Sequence, residues 1–61
     1  MENVKLDAVF IFKNTEGITE LRIPAHDIEQ RNGWLLALWN KKMVGCVREE
    51  YIKACYLQPS T

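Results

Sequence analysis

Histidine occurs once in this 61-residue chain, cysteine and proline twice each and glycine three times, and eight basic side chains are matched by eight acidic ones. Each shortage closes a class of function. Cys46 and Cys55, eight residues apart in between, and the lone His26 make neither a CxxC knuckle nor a histidine pair, so no metal centre is expected within one chain. Two cysteines cannot build a framework of several disulfides, and both are expected as small buried hydrophobes. Gly17, Gly33 and Gly45 form no phosphate-cradling loop and no dinucleotide fingerprint. A nucleophile such as Cys55 or Ser60 has only His26 as a histidine base, and the side chains of adjacent Glu49 and Glu50 diverge. So short a chain also seldom encloses a pocket of several hundred Å³. Neither enzymatic activity nor a cofactor is expected.

Long hydrophobic runs are missing as well. The longest, Trp34 to Trp39, falls far below the roughly 20 residues that a membrane-spanning helix requires. The beginning of the chain carries Glu2 and Asp7 where a secretion signal is basic, and its apolar stretch is only Ala8 to Phe12. A cytoplasmic location and no membrane partner are therefore expected.

What is present is apolar content. At 48% hydrophobic residues and zero net charge, the chain lies far from the composition of disordered segments and is expected to fold as one domain over residues 1–61. A domain of this size buries only about 60% of the surface of its unfolded chain, which leaves the core marginal without a supplement. With disulfides excluded, the economical supplement is self-association, most simply as a twofold dimer.

The pattern is that of strands. Val4 to Lys13 alternates with period two, and Val9 and Ile11 make its second face apolar too, so its centre is expected to be covered on both sides. Asn14-Thr15-Glu16-Gly17 predicts a hairpin turn into a second strand, Ile18 to Ile23, which Pro24 ends. Residues 25–31 are read as a connection. Asn32-Gly33 is nevertheless a strong type I′ signal, and used that way it pairs Ile28–Arg31 with the chain from Trp34 onward. Trp34 to Trp39 is again apolar on both faces and is expected to be a central strand. Asn40-Lys41-Lys42 turns the chain into Met43–Arg48, with a bulge or close backbone approach at Gly45. Residues 48–57 fit either a helix or a short helical turn near residues 48–52 followed by a strand, Ile52 to Leu57; the second is preferred because no helix-ending glycine precedes Gln58-Pro59. The fold expected is all-β, a four- to five-stranded antiparallel meander or a small barrel of SH3-like architecture, with an α+β fold carrying a C-terminal helix as the alternative.

No motif names a function. The reading is a small non-catalytic interaction or regulatory module that self-associates through apolar strands, with Val9, Ile11, Trp34 and Trp39 as candidate interface residues and an unspecified protein target. A second reading rests on charge distribution: residues 1–30 hold three basic against six acidic side chains, residues 31–61 five against two. Trp39 with Lys41, Lys42 and Arg48 would then form a basic platform on which a nucleic-acid base stacks. The zero net charge argues against it, since counterion release needs a basic footprint. A third and weaker reading is an inhibitor or ligand-sequestering oligomer, of the kind bacteria and phages encode, holding an anion between subunits on Arg22, Arg31 or Arg48.

Overall fold

The computed structural model describes residues 5–14 and 16–59. Val4, Thr15 and Ser60, to which the sequence reading assigns a strand start, a turn position and a weighed nucleophile, lie outside them. The described chain is all-β apart from one 3₁₀ turn: β1 (Leu6–Phe12), β2 (Glu20–Pro24), β3 (Asp27–Arg31), β4 (Trp34–Trp39), β5 (Lys42–Arg48), η1 (Glu49–Tyr51) and β6 (Ile52–Pro59). Two three-stranded antiparallel sheets result, in the orders β2-β1-β6 and β3-β4-β5, hereafter sheet 1 and sheet 2. They do not close into a barrel. The two strands that are apolar on both faces, β1 and β4, take the middle position of their sheets, as that pattern requires.

The chain changes sheets over two residues. Pro24 lacks an N–H and ends β2; the next N–H, of Ala25, donates to the Leu6 carbonyl of sheet 1 (3.0 Å), and that of His26 donates to the Leu38 carbonyl of sheet 2 (2.8 Å). Residues 27–31, read from sequence as a connection, are a full strand paired along β4. Asn32 and Gly33 both have positive φ, 51° and 82°, as a type I′ turn demands. The β4–β5 turn repeats the device with Asn40 (54°) and Lys41 (66°). The hairpin expected at Asn14–Gly17 joins β1 to an antiparallel β2, with Gly17 left-handed (φ 74°), but β2 starts at Glu20 and not at Ile18, the Phe12 N–H donating to the Thr19 carbonyl (2.9 Å). The tail follows the preferred reading, with η1 at Glu49–Tyr51 and β6 antiparallel to β1.

Ala8, Phe10, Ala25, Leu35 and Ala37 form the buried core, with Leu21, Ile23, Ile28, Val47, Ile52 and Cys55 packed around it. Three of the five are alanine. Among the described residues, the only bulky side chain besides Phe10 that is buried without remainder is Val9, which lies on the other face of β1, in register with Arg22 and Tyr56. No helix among the described residues is long and apolar enough to cross a membrane, and no cluster of His, Cys, Asp or Glu gathers there as a metal site.

The irregularity expected near Gly45 has a structural cause. Ala37 pairs with Gly45 but Leu38 with Met43, which leaves Val44 as the extra residue of a β-bulge. Gly45 faces the other sheet, where a Cβ would lie 2.6 Å from the Cδ1 of Ile23. Gly45→Ala is therefore expected to cost about 1 kcal/mol, the low end of overpacking. Adding Ile23→Val, which removes Cδ1, should cost less in the Gly45→Ala background than in the parent. Urea denaturation of the four proteins measures this; strictly additive costs would show that the two side chains do not meet.

Candidate functional site

Residues directly opposite in an antiparallel ladder share a face, so the register fixes the outer surface of sheet 2. Along β4 it is Trp34, Leu36 and Leu38; opposite them on β5 stand Arg48, Cys46 and Met43, and on β3 Arg31, Glu29 and Asp27. An apolar centre is thus bordered on one side by a charged strand. Trp34 is 39% exposed and Met43 58%, while Leu36 and Leu38 are half-buried. The Arg48 guanidinium lies 5.2 Å from the Trp34 ring centroid and also meets Glu50 (3.5 Å), and Arg31 pairs with Glu29.

The four candidate interface residues therefore separate. Trp34 is presented at the surface. Val9 is wholly buried within its own chain, so it offers no surface to a partner, and Ile11 is half-buried beside Glu20 and Ala54. Trp39 is half-buried and stacks on His26, ring centroids 4.0 Å apart, where the chain passes between sheets. Cys46, expected in the core, is exposed because its pairing with Leu36 puts it on the outer face; Cys55 is half-buried, and both thiols are free.

The proposed nucleic-acid platform is divided by the same hairpin. Lys42 pairs with Trp39 and Lys41 sits in the adjoining turn, but Arg48 pairs with Trp34, about 17 Å away along β4. Proximity in sequence between Trp39 and Arg48 does not survive an antiparallel turn. Arg22, the remaining anion candidate, lies on sheet 1 and is paired with Glu20 at 2.5 Å.

A second feature has no counterpart in the sequence reading. Between the β1–β2 connection and η1 runs an open groove of about 920 Å³, whose apolar lining comes from Phe12, Ile18, Leu21 and Tyr51 and whose charged lining is Lys13, Glu16 and Glu50. Ile18 is 72% exposed and Tyr51 58%. A signal was present: on the expected strand Ile18 shares the face of Glu20 and Arg22, a lone β-branched apolar residue among charges. Against protein-family models, curated proteins and solved structures alike, the chain finds no match.

Proposed function

We propose that this protein is a small, non-catalytic interaction module of SH3-like strand arrangement that forms a homodimer through the outer face of sheet 2. The observation that carries the reading is a mismatch between interior and surface. A compact 7.1 kDa chain exposes about 4,100 Å² by the usual scaling, whereas this one exposes 4674 Å². The excess, on the order of 600 Å², is about three quarters of the roughly 800 Å² that each partner covers in a standard interface. Trp34, Leu36, Leu38 and Met43 supply an apolar centre, and Asp27, Glu29 and Arg31 a charged rim, the usual division within an interface. The two unbonded cysteines suit a reducing cytoplasm.

The twofold arrangement follows from economy: one face paired with itself closes the assembly. Sedimentation equilibrium of the full chain at micromolar concentration is expected to give twice the chain mass, and a single-chain mass across that range would remove the dimer. Nucleic-acid binding draws less support, because the arginines beside Trp34 are already matched by Glu29 and Glu50.

A further inference from the structure

We infer that the groove between the β1–β2 connection and η1 holds an extended segment of a partner protein, seating aliphatic side chains against Ile18 and Tyr51 and a basic residue beside Glu16. The inference rests on the reading of the chain as an interaction module but not on its dimerisation.

The apolar lining is the first reason. Ile18 and Tyr51 are among the most exposed large apolar side chains of the described chain, and they lie across one depression with Phe12 and Leu21 at its base. An exposed apolar patch of this kind, rimmed by charge, is characteristic of an interaction site.

The walls are also fixed before anything binds. The Lys13 N–H donates to the Tyr51 carbonyl (3.0 Å), the Glu49 N–H donates to the Gly33 carbonyl (2.9 Å), and the Gln30 side-chain amide donates to the Glu49 carboxylate (2.8 Å). On the facing side the Asn14 amide donates to the Glu16 carbonyl (2.8 Å). A preformed site avoids part of the ordering cost of association.

Shape and charge select the occupant. The groove is open along its length and would leave much of a small molecule in water, whereas small-molecule sites bury most of their ligand. An extended segment fills such a shape, with alternate side chains directed into it. Around the groove and η1, Glu16, Glu49 and Glu50 outnumber Lys13 and Arg48, and because Arg48 already meets Glu50 (3.5 Å), Glu16 is the carboxylate left for a basic residue of the segment.

The test uses a phage-displayed library of random dodecapeptides selected on the full chain, followed by ¹⁵N chemical-shift titration with a selected peptide. Enriched sequences are expected to carry Lys or Arg beside two or more aliphatic residues and to shift the amides of Phe12, Ile18, Leu21 and Tyr51. Ile18→Ser and Tyr51→Ala should each weaken the peptide at least tenfold, and Glu16→Lys at least fivefold. Ile18 is so exposed that its replacement leaves the fold intact, which the dispersion of the ¹⁵N spectrum verifies. Leu36→Glu, on the outer face of sheet 2 and outside the groove lining, should leave peptide affinity within twofold even where it dissociates the dimer. No enrichment of basic-aliphatic sequences, or peptides that bind Ile18→Ser and Tyr51→Ala as well as the parent, would overturn the groove assignment, while a single-chain mass with intact peptide binding would overturn the dimer alone.

Discussion

Phe10→Ala is expected to leave the chain without a cooperative thermal transition at room temperature and above. Phe10 is the one large side chain wholly buried within the cluster of Ala8, Ala25, Leu35 and Ala37, and it stands in register between Leu21 of β2 and Cys55 of β6. Truncating a buried Phe typically costs 3–5 kcal/mol, part of it for the cavity that remains. Here the cavity cannot collapse well, because three of the four other cluster residues are alanines with no rotamers to swing into it. At about 0.05–0.15 kcal/mol per residue, a chain of this length has a total stability of roughly 3–9 kcal/mol. The loss is thus comparable to the whole. Circular dichroism on heating measures it, at a fixed protein concentration because association would contribute to the apparent stability. A cooperative transition within a few degrees of the parent would mean that the core does not depend on Phe10.

The legible parts of the fold were those in which one local rule had no competitor. Alternation with two apolar faces marked β1 and β4 as central strands, and Asn32-Gly33 marked the hairpin that the positive φ values of both residues realise. The strand β3 was obscured because Asp27-Ile28-Glu29-Gln30-Arg31 contains a single apolar residue. Its conformation is imposed by the turn and by pairing with β4, and at an outer position of the sheet one inward Ile28 suffices. The β1–β2 hairpin is legible in Gly17, which is left-handed, but not where its second strand begins, since the ladder resumes only where Phe12 meets Thr19 and β2 runs from Glu20 rather than Ile18. For the candidate site, the sequence held the residue types but not the distances. Arg48 was assigned to Trp39 and belongs with Trp34, since the β4–β5 hairpin reverses their order. Cys46 was assigned to the core, and only the register with Leu36 places it outside. The groove joins Phe12, Ile18 and Leu21 to Tyr51, about thirty residues later in the chain, a meeting that no local pattern encodes.

Leu36→Glu should convert the dimer to a monomer while the chain remains folded. Leu36 stands at the middle of the outer face of sheet 2, between Trp34 and Leu38 on its own strand and between Glu29 and Cys46 across the ladder. In a self-paired interface the same substitution enters twice, and near the twofold axis it brings two carboxylates into one desolvated patch that already holds Glu29 from each chain. Leaving a charge unpaired in such a place costs several kcal/mol, and each 1.4 kcal/mol is a factor of ten in Kd. A rise in Kd of at least about 100-fold is therefore expected, enough for single-chain mass at micromolar concentration. Leu36 is half-buried in its own chain, so the substitution also touches the fold, and Met43→Glu serves as the independent case. Met43 lies on the same face, opposite Leu38, and is 58% exposed, so its replacement should dissociate the dimer with little change in melting temperature measured below the dissociation concentration. Lys53→Gln on β6 of sheet 1 lowers the charge by the same single unit and should change neither mass nor melting. Dimers that persist in both Leu36→Glu and Met43→Glu would move the interface off sheet 2, with β6, where Tyr56 and Leu57 are also exposed, as the next surface to substitute.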